Sequence, residues 1–368
     1  VARRSRAPGP PPPAPTAGFV IGYYALLIGT SCLAAFYGRR SAFMLLFSLT
    51  LVSFVVGIVG GVSALWTITL CAGALALSAG TAYAFREFLV NISGRETAKA
   101  LRTAPLTAAF GMFVVFTYAV MGIFAPIIAP HGEAEVISSA FAPPDENMLL
   151  GADQLGRDMF SRIIYGARNT VGLALCATLL AFFMGAFAGL FAATKGGNID
   201  QAMGRVADVI MSIPSLIFAL LLLSIFGTNL IVLVIIVAII YAPRVFRLTR
   251  AVAGNIVVMD YIEAARLRGE GDLYLIRKEI LPNSTAPLIA EFGLEFCFVF
   301  LLIAGLSFLG LGIQPPTADW GSMVRENATL ISFGEITPLI PAGAIALLTV
   351  AVNFVVDWML WRSAGLKE

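Results

Sequence analysis

The chain has 368 residues, 59% apolar and 12% charged, with 24 Lys and Arg against 22 Asp and Glu and a mean hydropathy of +0.89. Soluble domains carry about 25% charged residues, so this composition excludes a soluble globular protein and describes an integral membrane one. The near balance of charge gives no reason to expect nucleic acid as a partner, and the single histidine, His131, excludes a multi-histidine metal site.

In chain order, residues 1–17 read as a tail, in which Arg3, Arg4 and Arg6 precede PGPPPPAPT (8–16). Such a proline run is an extended linker without a fold of its own. A cleaved signal peptide is an alternative reading of 1–37, although its apolar run is long for a signal core. Apolar runs follow at about 18–37, 41–61, 63–85, 105–129, 170–193, 207–226, 229–243, 285–312 and 336–358. A bilayer core of about 30 Å takes roughly 20 helical residues. The seventh run is short, and the second and third are separated by little more than Gly60, Gly61 and Ser63. The runs are continuously apolar instead of alternating, which predicts helices and not a barrel. The four cysteines (Cys32, Cys71, Cys176, Cys297) sit in separate runs without metal-ligand spacing and read as small apolar residues.

Basic residues set the direction of the spans. With the loop 244–284 on the cytoplasmic side, segments 86–104, 194–207, 244–284 and 359–368 lie inside and hold 15 Lys and Arg. The opposite loops of the same region hold four, Arg157, Arg162, Arg168 and Arg325. The last six spans therefore have both ends in the cytoplasm. Three further spans, 18–85, place the basic tail outside, against the rule, while Arg39 and Arg40 fall inside, in its favour.

Between the fourth and fifth runs, Asp153→Arg157 and Asp158→Arg162 are acid-before-base pairs at i,i+4, the favourable order on a helix. With Leu155, Met159 and Ile163 on an adjoining stripe, they predict an exposed amphipathic helix at the outer interface. Gly185 and Gly189 form a G-x-x-x-G pair within the fifth span, a face that lets helices approach closely. Packing within the chain is its ordinary account, and packing on a partner its alternative.

The most charged passage is DYIEAARLRGEGDLYLIRKEILPN (260–283); residues 244–282 hold 12 of the 46 formal charges. A helix former run, Glu263 to Arg268, stops at Gly269, and a second stretch, Leu273 to Ile280, runs up to Pro282. Glycine supplies the sharp turn, and Pro282 suits the first turn of the next helix. Ala264 and Ala265 thin one face, so that the piece fits a groove on another protein. A solvated connector is the ordinary reading of a charged loop.

The spacing is more specific than that. E-A-A, three residues, glycine, and L-P thirteen residues on resemble the EAA loop of ABC-importer permeases. LLGADQLGRDMFSRIIYGAR (149–168), KGGNIDQAMGRVADVIMSIPSLIFALLL (195–222) and LSFLGLGIQPPTADWGSM (306–323) are similar to segments of dipeptide, oligopeptide and nickel permeases, in the same order. The resemblance covers about 86–361 and points to the second permease subunit of such systems. It implies an all-α integral membrane protein with a six-helix type I importer core at 105–361, preceded by about three extra helices (18–85) and a linker (86–104), and followed by a tail (362–368). It implies that Glu263, Ala264, Ala265, Arg266, Gly269, Leu281 and Pro282 contact an ATPase. The implied partners are a second homologous permease, two ATP-binding-cassette subunits carrying ATP and Mg, an extracytoplasmic solute-binding protein and the bilayer of a bacterial inner membrane.

Glu279 departs from the pattern, standing where an apolar residue or histidine is usual. Ile303 stands where many relatives have an acidic residue, and the C-terminal NFVVDWMLWR lacks a glycine and an Arg-Asp found in them. Glu291 and Glu295 precede Ile303 in the same span; counted back from Gly312 at ~1.5 Å per residue they lie roughly 32 and 26 Å in. Snorkelling or contact with the charged loop is expected of them. No G-x-x-x-x-G-K-[ST] sequence occurs, so the chain itself is expected to bind no cofactor or metal and to have no catalytic residue. The expected solute is a di- or oligopeptide. Alternatives are a nickel chelate or opine-like solute, an ion-driven transporter, against which the sparse charge within the spans counts, and a membrane scaffold without a solute pathway. No substrate-binding residue is assigned by the sequence.

Overall fold

The computed structural model describes residues 17–36, 40–333, 335 and 337–363. The arginines and prolines of the tail 1–16, Arg39 and the last five residues lie outside them. The chain divides into two units at Thr81–Ala82. In the first, α1 (Ala17–Phe36) and the beginning of α2 (Arg40–Ile92) are long helices. Tyr23 and Leu27 of α1 are buried against Leu46 and Leu49, and the Tyr23 hydroxyl meets Ser53 Oγ at 2.7 Å. The separate helices expected at 41–61 and 63–85 are one continuous helix, so the described N-terminal region has two helices and not three. Gly60 and Gly61 weaken a helix by about 1 kcal/mol each relative to alanine, but without proline they do not end it.

The second unit holds α3 (Arg95–Arg102), α4 (Leu106–Ile128), α5 (Met159–Lys195), α6 (Gly197–Met211), α7 (Ser215–Phe226), α8 (Leu230–Val257), α9 (Asp260–Leu267), α10 (Asp272–Phe308), α11 (Trp320–Asn327) and α12 (Leu339–Ser363). Among the described residues, five of these helices, α4, α5, α8, α10 and α12, are long and apolar enough to cross a membrane, and α6 and α7, bent by 85° at their break, pass the same test only as a pair. The bend falls at Ser212–Pro214, because proline cannot donate the next helical hydrogen bond and pushes the residue before it out of the helical region. Pro243 sits inside α8 without ending it. The seventh apolar run therefore continues as a 28-residue helix well past the expected boundary at 243.

The core of this unit is built on small residues. Ala174, Ala177, Ala181, Gly185 and Gly189 recur at three- and four-residue spacing on α5, all buried. A Cβ on Gly185 would collide with the Ala242 carbonyl of α8, and one on Gly189 would lie 2.8 Å from the Phe246 carbonyl oxygen. The G-x-x-x-G pair thus serves packing within the chain, where close backbone approach replaces a hydrophobic driving force that lipid does not supply. Phe300, Ile303 and Leu306 of α10, Leu233 and Val237 of α8 and Trp320 of α11 complete the core.

Candidate functional site: the charged loop and a polar cluster within the spans

α9 is closed at its end by two backbone bonds, Gly269 N–H to Arg266 O at 2.9 Å and Glu270 N–H to Ala265 O at 3.2 Å. This is a Schellman cap, which requires a left-handed residue; Gly269 supplies it with φ +85°. Ile262 and Ala265 are wholly buried against Leu190, Ala253, Leu275, Ile276 and Ile280. The thin face expected from Ala264 and Ala265 is therefore divided: three-residue spacing turns Ala265 toward its own chain and leaves Ala264 exposed. The outward surface includes Tyr261, Glu263, Ala264, Arg266, Leu267, Arg268 and Leu273, with Leu267 83% exposed.

Three contacts tie this loop to the spans. Arg266 Nη2 donates to Thr194 O at 3.0 Å, Lys195 pairs with Asp272, and Asn283 Nδ2 donates to the Tyr261 hydroxyl at 3.3 Å. The second helical piece does not stop before Pro282. It widens to a π-helix at Leu275–Ile280 and runs straight into the span, with Leu281 N–H bonded to Ile276 O. A proline inside a helix removes one bond and crowds the carbonyl four residues back; a π turn takes up that misfit. Leu281 and Pro282 are exposed on α10 directly after the π turn. Glu279 is half-buried and forms no ion pair within 4.0 Å among the described residues; its carbonyl accepts from Asn283 at 2.6 Å.

At the opposite end of the bundle, the expected exposed amphipathic helix is replaced by a buried ionic knot. Asp153, Arg157, Asp158 and Arg162 are all buried, and the helix begins only at Met159. Asp153 lies in the preceding loop, where Leu155 N–H and Arg157 N–H bond to it at 2.9 and 3.0 Å. Asp158 does not pair with Arg162; it caps α5 by accepting from Phe160 N–H and Ser161 N–H, a use that outcompetes side-chain pairing at a helix start. Arg157 pairs with Asp153 at 2.7 Å and with Glu326 at 2.9 Å, while Arg162 approaches the same carboxylates at 3.3 and 3.4 Å. Two arginines thus meet two carboxylates, which explains basic side chains on the side that the charge rule disfavours.

Glu133 and Glu326, which the sequence did not single out, complete this end. Glu133 Oε2 accepts from Asn169 Nδ2 at 2.9 Å and Ala318 N–H at 2.8 Å. Asp319 caps α11 through Ser322 N–H and accepts from Thr170 Oγ1, both at 2.8 Å. Burial raises the Asp319 carboxyl above the ordinary aspartate range, opposed by those hydrogen bonds. Apart from the Asp319–Ser322 cap, these pairings join residues 36 to 185 positions apart, so no local pattern announces them.

The third polar feature lies within the spans. Arg244 is carried on α8, roughly 21 Å from Leu230 at ~1.5 Å per residue, with its guanidinium 5.2 Å from the Tyr241 ring centre and 5.0 Å from that of Phe298. α10 ends at Phe308, so Glu295 lies only roughly 20 Å in. It is 3% exposed, and its Oε2 has no hydrogen-bond partner. The snorkelling expected of it is not seen, since its side chain is buried within the bundle. Glu291 and Glu295 share the α10 face that carries Phe298, without an ion pair to Arg244 inside 4.0 Å. A cavity of about 330 Å³ at the α6–α7 break is lined by Ile213, Pro214, Ser215, Tyr241 and Arg244. From the sequence, the seventh run ends at 243 and Arg244 opens the loop 244–284; in the structure α8 continues through Pro243 and carries Arg244 at its middle.

A family model described as binding-protein-dependent transport system inner membrane component matches residues 185–361. The di/tripeptide transport system permease protein DppC of Pseudomonas aeruginosa (strain UCBPP-PA14) is 35% identical over 255 residues, covering 67% of this chain and 83% of that protein. DppC of Alkalihalophilus pseudofirmus, a dipeptide transport system permease, is 33% identical, covering 72% and 86%. The probable D,D-dipeptide transport system permease protein DdpC of Escherichia coli (strain K12) is 31% identical, covering 73% and 90%. With its helical, multi-span core, the chain belongs to the inner-membrane permease family of binding-protein-dependent ABC importers.

Proposed function

We propose that this chain forms half of the translocation pathway of an ABC importer for di- or oligopeptides. The observation that carries this reading is the 35% identity to a di/tripeptide permease over 83% of that protein's length. A second permease supplies the other half, an extracytoplasmic binding protein delivers the solute, and two ATPase subunits hold ATP and Mg. The C-terminus lies in the cytoplasm with the charged loop, as the distribution of lysine and arginine supports. The ATPases engage the exposed side of α9, with Glu263, Ala264, Arg266 and Gly269 as the centre of the contact and Leu281 and Pro282 at its margin; Ala265 seats the helix on its own chain.

Coupling follows from how α9 is fastened. Ile262 and Ala265 anchor it under α5, α8 and α10, the Arg266–Thr194 and Tyr261–Asn283 contacts bind it to the end of α5 and to α10, and Lys195–Asp272 joins those two helices beside it. Displacement of α9 by a closing ATPase dimer therefore moves several spans together. ATP does work because it binds one arrangement of the dimer far better than the other. In proteoliposomes containing the assembled transporter, Glu263→Lys is expected to abolish peptide uptake while leaving insertion and assembly intact. Uptake at the wild-type rate would overturn the assignment of α9, and absence of peptide uptake by the wild-type complex would overturn the substrate class.

A further inference from the structure

We propose that Arg244 is a solute-contacting residue of the pathway, taking the C-terminal carboxylate of a zwitterionic peptide in the cavity at the α6–α7 break. The inference rests on the peptide-permease reading and adds to it a site within the spans.

An arginine at this depth is costly unless it is paired or lines a polar cavity. The other buried arginines are consumed in structure: Arg157 and Arg162 in the ionic knot. Arg244 is not. It is half-buried, supported by two aromatic rings that leave the guanidinium edge free for hydrogen bonds. The edge borders a cavity of about 330 Å³, within the ~300–1,000 Å³ range of small-molecule sites. The cavity wall includes the start of α7 at Ser215, where unpaired backbone N–H groups add positive potential. A broken helix is tolerated in a bilayer where it lines a cavity, and such breaks recur at solute sites of transporters.

The neighbouring acids narrow the ligand. Glu291 and Glu295 stand seven and three residues before Phe298 on α10, on the helix face that carries the ring beneath Arg244, yet neither closes an ion pair with it within 4.0 Å, and Glu295 Oε2 stays without a hydrogen bond. Two carboxylates around one guanidinium oppose a simple anion. They suit a molecule that brings a cation with its carboxylate, as the termini of an unblocked peptide do. Arginine meets a carboxylate in bidentate fashion, which lysine does not reproduce.

The test is a chemical footprint on the assembled transporter in lipid nanodiscs. Phenylglyoxal modification of Arg244 is followed by mass spectrometry with Ala-Ala, Ala-Ala amide or N-acetyl-Ala-Ala present. Ala-Ala is expected to slow the modification about fivefold or more, and each blocked peptide less than about twofold. Equal protection by all three, or by none, would overturn the proposal. In parallel, ATP-driven Ala-Ala uptake is measured for Arg244→Gln and Arg244→Lys. About a tenfold loss for the glutamine variant, with partial retention by lysine, is expected. Wild-type uptake by Arg244→Gln would sink the site while leaving the peptide reading in place. Wild-type complex that moves no peptide would sink that reading instead. Should Arg244→Gln not assemble, the wild-type footprint and the lysine variant decide.

Discussion

Gly269 and Arg162 show how single residues carry roles that no substitution matrix reveals. At φ +85° any L-residue with a Cβ is strained by about 1–2 kcal/mol, and proline, fixed near −65°, cannot adopt the conformation. Gly269→Pro is expected to dislodge the end of α9 and to uncouple ATP hydrolysis from uptake, whereas Gly269→Ala retains part of both; parallel ATPase and uptake assays check this. Arg162 is wholly buried between Asp153 and Glu326. Its replacement by alanine leaves two carboxylates facing one arginine, and loss of one member of a buried ionic group costs about 3–5 kcal/mol. Arg162→Ala should lower the thermal midpoint of the detergent-solubilised chain much more than Arg162→Lys, which keeps the charge and loses the fork.

At the level of elements, two helices are closed upon each other by missing side chains. Gly189 leaves the space that the Phe246 carbonyl and Thr249 occupy, each 2.8 Å from where a Cβ would stand. Overpacking of such a contact costs about 1–3 kcal/mol or more, so Gly189→Leu is expected to part α5 from α8, seen as lower thermal stability and poor assembly. Gly172→Ala on the same helix has nothing within 4 Å of the added carbon and should be neutral or slightly stabilising. The charged loop obeys the same logic. Its outer face is what a partner meets, but Ile262 and Ala265 are what make it part of this chain.

For the whole molecule, the division at Thr81–Ala82 bears on what the N-terminal region contributes. The second unit begins with residues that belong to its own packing. Phe85 lies 5.4 Å from the Phe113 ring and 5.3 Å from that of Phe116, and Arg86 Nη1 donates to Ala104 O at 3.2 Å. A chain beginning at Ala82 keeps these contacts and is expected to insert, assemble and transport at a rate close to that of the full chain. A chain beginning at Ser93 should be less stable, because it loses Phe85 and Arg86. Assembly yield and uptake compare the two, and loss of coupled turnover in the first would assign that unit a direct part in transport.

Much of this architecture is written locally. The helical class follows from the length and continuity of the apolar runs, since a bilayer leaves few other ways to satisfy a backbone. The turn at Gly269 follows from a glycine closing a helix former run, and the family from motifs whose order is itself information. What stayed hidden depended on neighbours remote in the chain. Asp153 and Arg162 looked like parts of two exposed helical pairs, yet their positions are set by Glu326, which lies 164 residues beyond Arg162. Arg244 looked like the first residue of a loop, because a proline in sequence marks a boundary only when tertiary packing does not carry the helix through it. The sequence by itself determined that the chain spans a membrane, where its charge is concentrated and how α9 ends, because hydropathy and turn chemistry act over a few residues. Only the tertiary structure decided which face of α9 is free, which charges are buried together and that an arginine lines a cavity within the spans, because burial and ion pairing are properties of surfaces that meet after folding.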